Sequence, residues 1–174
     1  MTVLETERLL LERLTSNDDA FIVELLNEPA FLKYIGDRGV RNQEDARNYI
    51  STGPASKFDT DGFGLCRVTL KESGDAIGIC GLLRRETLDD VDIGYAFLRR
   101  HRQQGYAQEA AAGTLKWARE SLGFQRVIAI VTPNNEPSIQ VLRKIGMEYE
   151  SMVRLVEDES ELMLFATDWK VDEA

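Results

Sequence analysis

The chain has 174 residues with 21 basic and 30 acidic side chains, a formal net charge of −9; hydrophobic residues make up 43% and charged residues 29%. The length is that of one domain spanning residues 1–174 with a proper core, and the composition excludes a disordered chain. The acidic balance argues against broad binding to a nucleic-acid backbone, and no apolar run reaches the length of a membrane helix.

The opening residues, MTVLETERLLLERL, lack the unbroken apolar core of a signal peptide, so a cytoplasmic protein is expected. Val3 to Leu14 reads as one strand. Asn17-Asp18-Asp19 supplies N-cap candidates for a helix carrying Phe21, Ile22, Leu25 and Leu26 and closed by Pro29. Phe31 to Ile35 reads as a short helical turn, and Gly36-Asp37-Arg38-Gly39 as a loop. Asn42 caps a second helix through Ala46, Tyr49 and Ile50, which the Gly53-Pro54 pair ends.

From Gly62 the apolar period changes to two. Gly62 to Lys71 and Ala76 to Arg85 read as antiparallel strands joined at Glu72-Ser73-Gly74-Asp75. Val91 to Leu98 is a fourth strand. Ala107, Ala110, Ala111, Thr114, Leu115, Ala118 and Leu122 then follow helical spacing, with Gly123 placed as a C-cap. Arg126 to Val131 is a fifth, β-branched strand, and Ser138 to Ile145 a further helix. Met147 to Val156 and Leu162 to Asp168 form a closing antiparallel pair around the acidic loop Glu157-Asp158-Glu159-Ser160-Glu161. Runs of antiparallel strands followed by a β-α-β crossover predict a mixed α/β (α+β) domain. Cys66 and Cys80 lie inside apolar strands without metal-ligand spacing, which reads as buried free thiols and no metal site.

The chemistry concentrates where the fourth strand turns into the patterned helix, at Arg99-Arg100-His101-Arg102-Gln103-Gln104-Gly105-Tyr106-Ala107. A first helical turn leaves N–H groups free, and the helix dipole backs them. Gly105 permits a tight turn, Ala107 leaves room, and the arginines form a basic cluster in an acidic protein. An anion cradle and a solvated helix cap are both open on this loop alone. Neither the P-loop pattern G-x-x-x-x-G-K-S/T nor the dinucleotide pattern G-x-G-x-x-G occurs.

Arg102-x-x-Gly105-x-Ala107 followed by Glu109-Ala110 matches the acetyl-CoA motif Q/R-x-x-G-x-G/A. Downstream, Asn135, Ser138, Leu142, Lys144, Gly146 and Met147 match N-x-x-S-x-x-x-L-x-K-x-G-F/M. With Glu5-Thr6-Glu7-Arg8-Leu9 and Asp92-Ile93-Gly94-Tyr95, the chain resembles the GCN5-related N-acetyltransferase (GNAT) superfamily, in particular the ribosomal-protein N-terminal (RimJ/RimL-like) acetyltransferase branch. The resemblance implies a GNAT-like, mostly antiparallel mixed sheet splayed between strands four and five and flanked by about four helices. It implies acetyl-CoA as co-substrate, with the backbone of Ala96, Phe97 and Leu98 pairing with pantetheine. Arg99, Arg102, Gln103, Gln104, Gly105, Tyr106 and Ala107 would hold the pyrophosphate, and Asn135, Ser138 and Lys144 would lie along the other side. Gln103 stands where many relatives carry glycine, and Leu142 where many carry the tyrosine that serves as acid.

Direct attack of a primary amine in a ternary complex needs a proton route, a donor for the leaving thiolate and N–H groups for the oxyanion. The resemblance implies that these roles fall to Asp92 as base or else as a solvated or structural strand carboxylate, Ser138 as acid or else as helix cap, and the Phe97 N–H. Glu161 is a weaker base, and His101 reads as a phosphate neighbour or surface residue. The acceptor would enter between Gly36 to Arg41 and Glu157 to Glu161, and the resemblance tilts it toward a protein or peptide N-terminus. It also implies a homodimer. A non-catalytic acyl-CoA-binding sensor or partner-binding module is the competing reading, and a nucleotide or phosphosugar binder a third.

Overall fold

The computed structural model describes residues 1–157 and 159–169. Asp158 of the acidic loop lies outside the described residues. Fourteen regular elements follow one another: β1 (Thr2–Glu5), β2 (Leu9–Arg13), α1 (Asp19–Leu26), α2 (Pro29–Tyr34), α3 (Gln43–Thr52), α4 (Pro54–Asp61), β3 (Leu65–Leu70), β4 (Ala76–Leu83), β5 (Asp92–Phe97), α5 (Tyr106–Glu120), β6 (Ile128–Val131), α6 (Glu136–Lys144), β7 (Met147–Val153) and β8 (Leu162–Thr167). Two short 3-10 turns, Ser16–Asp18 and Arg99–His101, join them.

The strands form one eight-stranded sheet in the order β1-β2-β3-β4-β5-β6-β8-β7. Every pairing is antiparallel except β5–β6, which is parallel and meets only at Asp92 and Ile128. The sheet therefore splays beyond Asp92. This is the mixed, mostly antiparallel sheet the sequence predicts, with the fourth and fifth expected strands now β5 and β6.

The numbering shifts because the expected first strand is two. Thr6-Glu7-Arg8 turns it back on itself: the Thr6 N–H donates to the Leu9 carbonyl (2.9 Å) and the Leu9 N–H to Thr6 Oγ1 (3.2 Å). A second difference follows Gly53. Pro54 does not stop the chain but starts α4, because its fixed φ and missing N–H suit a first helical position. Gly62, at φ 82°, then ends that helix rather than opening β3.

Small residues seat α5 on the sheet. Ala110, Ala111 and Ala118 are fully buried, with Thr114 and Leu115 between them. They pack on Ile77, Cys80, Ile93 and Phe97, while α6 adds Ile139 and Leu142. The opposite face carries Ile22, Leu25, Leu26, Phe31, Ala46 and Ile50 from α1–α3, packed on Ile79 and Leu98. Each β5 side chain thus belongs to one of two layers.

Cys66 and Cys80 are direct cross-strand partners, both free and buried. Burial pushes the Cys80 thiol up to about 12 and raises Cys66 as well. Thiolate, the reactive form, is therefore scarce at neutral pH. The native protein should resist a thiol-titrating disulfide reagent at neutral pH, and two thiols should appear together on unfolding. Rapid native-state reaction would show that the β3–β4 layer opens locally.

Candidate functional site

β5 ends at Phe97, turns through Arg99–His101, and re-enters regular structure at Tyr106. Gly105, the N-cap of α5, sits at φ 82° and ψ 5°, and Gln103 at φ 61°. Glycine takes that region freely, whereas a side chain there costs on the order of 1–2 kcal/mol. The turn is thus strained at Gln103 and unstrained at Gly105. Among the described residues, the N–H groups of Gln103 to Gln108 have no hydrogen-bond acceptor. Gln103, Gln104 and Gly105 are exposed, with Tyr106 and Ala107 half-buried. The result is an open row of backbone donors at the positive end of a 15-residue helix.

Two of the three arginine side chains beside it are paired. The Arg99 N–H donates to both Glu28 oxygens (3.1 and 3.0 Å), and the Arg102 guanidinium to the same carboxylate at 2.8 Å. Arg102 Nε also donates to the Phe97 carbonyl at 3.0 Å. Arg100 pairs with Glu24. The basic cluster expected from composition is therefore largely neutralised by two carboxylates of the α1–α2 segment. Among the described residues the exposed Arg99 guanidinium has no carboxylate partner, so the donors left are the backbone N–H groups and that one charge.

A residue that sequence reasoning did not assign grips the turn from the other side. Arg8, in the β1–β2 turn, donates through Nε to Glu109 (3.0 Å) and through Nη1 to the Gln104 carbonyl (3.0 Å). Its guanidinium lies 4.4 Å from the Tyr106 ring centre, a cation–π distance. Thr6 Oγ1 adds a bond to Glu109 at 2.9 Å. The motif Glu5-Thr6-Glu7-Arg8-Leu9 was the available signal, but reading it as strand hid the side chain's reach.

β5 borders the splay. The Leu98 N–H donates to the Ile77 carbonyl (2.9 Å), and the β4–β5 register runs unbroken from Gly78–Phe97 to Leu83–Asp92. Strand alternation then turns the backbone groups of Ala96 toward β4, and those of Tyr95 and Phe97 toward β6, where the ladder has already stopped. The expected trio Ala96, Phe97 and Leu98 is corrected accordingly. Phe97 presents its N–H to the gap, Tyr95 joins it, and the N–H groups of Ala96 and Leu98 serve β4.

Across the gap, Asn135 caps α6: its side chain accepts the Ser138 N–H at 3.4 Å. Ser138 Oγ lies 2.9 Å from the Tyr95 hydroxyl, which also reaches the Ser138 carbonyl at 3.2 Å. Burial raises the Tyr95 pKa, so the phenol keeps its proton. Lys144 is exposed in the last turn of α6, about 9 Å along the helix axis from Ser138. Leu142 is buried in the core.

Asp92 stands at the closed end of the splay, about 16 Å along the strand from Phe97. It is 1% exposed, and Arg85 Nε donates to both its oxygens at 3.1 and 3.3 Å. Burial raises its pKa, and the Arg85 charge opposes the rise. The structure does not bring Asp92 together with Phe97 and Ser138. Glu161 pairs with Arg154 at 3.7 Å, and both are exposed. Asp37 and Arg41 pair within the Gly36 to Arg41 loop.

A strand edge left open beside a helix start with unused N–H groups suits a ligand with both amides and phosphates. Comparison with known proteins shows the family. Residues 8–148 match the family model of the acetyltransferase (GNAT) domain. YkkB of Bacillus subtilis is 32% identical over 156 residues, covering 88% of this chain and 89% of that protein. A solved GNAT-family acetyltransferase from Bacillus anthracis is 27% identical, with a TM-score of 0.79 over 95% of this chain and 97% of that one. A ribosomal-protein-S5-alanine acetyltransferase from Vibrio fischeri shares the fold at 18% identity, with a TM-score of 0.78 over 97% of this chain and 98% of that one. The chain belongs to the GNAT acetyltransferase family.

Proposed function

We propose that the protein moves the acetyl group of acetyl-CoA to a primary amine by direct attack in a ternary complex. The observation that carries this reading is the row of unused N–H groups, Gln103 to Ala107, at the open end of a splay whose β5 edge is itself unpaired. Pyrophosphate meets the row, and the amides of the pantetheine arm meet the edge at Tyr95, which leaves the Phe97 N–H for the reacting carbonyl. Asn135 and Ser138 border the arm from α6, and Lys144 offers a charge to the outer phosphates. Arg102 contributes by fixing the turn between Glu28 and the Phe97 carbonyl.

In the reaction the amine attacks neutral. The N–C bond forms, the C–S bond breaks with its electron pair on sulfur, and the proton shed by nitrogen balances the thiolate. The Phe97 N–H faces the developing oxyanion, and the Ser138 hydroxyl donates to sulfur. Asp92, enclosed with Arg85, locks the closed end of the splay, and the amine loses its proton to water. The acceptor assigned is a protein or peptide α-amine. The support is fold likeness to an S5-alanine acetyltransferase and the acidic loop around Glu157 and Glu161. The burial of Leu142, where many relatives carry an acidic tyrosine, favours the second reading, a non-catalytic acyl-CoA-binding module. Mass spectrometry after incubation with acetyl-CoA and pooled amines, including peptides with free and blocked N-termini, separates the two. A gain of one acetyl group on free N-termini is expected, and no acceptor-dependent turnover in any pool favours the module.

Gly105→Val forces a β-branched residue to φ 82°, at a cost of about 1–2 kcal/mol to the turn. It should weaken acetyl-CoA binding about tenfold or more by calorimetry; unchanged affinity removes the cradle. Ser138→Ala should lower kcat roughly 10- to 1000-fold with a smaller effect on KM. An unaltered kcat leaves Ser138 as a helix cap. Asp92→Asn strips half-buried Arg85 of its partner and should cost about 1–3 kcal/mol of stability. The acidic limb of its pH–rate profile should stay in place; a flattened limb would restore Asp92 as the base.

A further inference from the structure

The two hydroxyls that meet across the splay carry more information than a packing contact. Tyr95 lies on β5 and Ser138 in the first turn of α6, 43 residues apart in sequence. Among the described residues, Tyr95 makes the side-chain hydrogen bonds that join these two elements. It does so beside the unpaired edge, between Phe97 and the closed end at Asp92.

The proton count is what matters. A phenol has one hydrogen, and here two acceptors stand within reach, Ser138 Oγ at 2.9 Å and the Ser138 carbonyl at 3.2 Å. Burial keeps that hydrogen on Tyr95. If the phenol donates to the carbonyl, the serine hydrogen is drawn to the phenol oxygen and turned away from any ligand. If it donates to Oγ, the serine oxygen is occupied as an acceptor and its own hydrogen is free to point elsewhere. A donor chain of this kind also polarises the outer hydroxyl and strengthens its donation. The shorter contact is the one to Oγ.

We infer that Tyr95 is a positioning residue that sets Ser138 as a hydrogen-bond donor toward the sulfur of coenzyme A. This rests on the acetyl-CoA reading and on Ser138 facing the sulfur. An anionic sulfur favours the second ordering, because only that ordering aims a hydrogen at the charge. In this role Tyr95 acts through Ser138. Its ring packs against the core cluster that includes Ile139 and Leu142, so the ring and the hydroxyl have separable roles.

The test reads the thiol of bound coenzyme A rather than turnover, so it needs no acceptor. Coenzyme A is bound to the full chain, and thiolate is followed by its ultraviolet absorbance against pH. Donation from Ser138 should hold the bound thiol below its free pKa. Y95F and S138A should each raise it by about one unit, a tenfold change in the ionisation constant. The double variant should raise it no further than S138A alone, because both act on one donor. A parent-like thiol pKa in Y95F beside a raised one in S138A overturns the role of Tyr95 alone. A parent-like value in S138A overturns the placement of Ser138 at the sulfur. Should Y95F fail to melt cooperatively, 3-fluorotyrosine at position 95, a stronger donor, should lower the bound thiol pKa, and no movement overturns the inference.

Discussion

The rest of the site depends on one residue pair. β5 and β6 run parallel and meet only at Asp92 and Ile128. Parallel neighbours require a crossover, and that crossover is α5. A crossover must leave from the end of its first strand, which here is the end already diverging from β6. The start of α5, with its unused N–H groups, therefore falls beside the unpaired edge as a matter of connectivity. Two kinds of donor, a helix start and a strand edge, come together because the ladder stops after one step. The Arg85–Asp92 pair and the Arg126 pairs to Asp90 and Glu150 sit around that single junction. The splay is thus pinned at one end by charge and left open at the other.

Charge plays a different part in the turn. A net charge of −9 sets this protein against anions at long range, and three arginines near Gly105 oppose that locally. The α1–α2 segment cancels much of it through Glu24 and Glu28. What remains is the Arg99 charge and a dipolar set, N–H groups fixed in direction by the backbone. Donors held this way reorganise little when an anion arrives, and screening by salt affects them less than exposed ion pairs. The arginines act as fasteners, since Arg102 holds both the β5 carbonyl at Phe97 and Glu28.

Much of this was legible in the sequence, where the signal is local. The 3.6-residue spacing of Ala110, Ala111, Thr114, Leu115 and Ala118 marks the buried face of α5, and the period of two marks β3 and β4. Asn42 and Asn135 cap helices through short-range bonds that their residue type announces. The failures have physical reasons. Thr6-Glu7-Arg8 turns without glycine or proline, so an apolar run seemed continuous. Gly53-Pro54 is both a helix stop and a helix start, and only packing chooses. Arg8 to Glu109 and Tyr95 to Ser138 are bonds between residues 101 and 43 positions apart, which no periodicity encodes. The backbone alternation that favours Tyr95 over Ala96 and Leu98 needs the β4–β5 register, fixed by one bond at Leu98.

Gln103 lies between the two sets of contacts that hold the turn. A glutamine at φ 61° carries strain that glycine would not, and strain of that kind persists only where its surroundings over-determine the backbone. Here the turn is held from both sides. Glu28 fixes it upstream through the Arg99 N–H and the Arg102 guanidinium. Arg8 fixes it downstream through the Gln104 carbonyl, the Tyr106 ring and Glu109. The intervening residues span a fixed distance between two anchors, and position 103 adopts the conformation that closes it. A turn so held keeps its N–H groups aligned before any ligand arrives, which lowers the ordering cost of binding. The two anchors come from the β1–β2 turn and from the α1–α2 junction, so the precision of the turn is built by the first part of the chain, far in sequence from the motif that marks it.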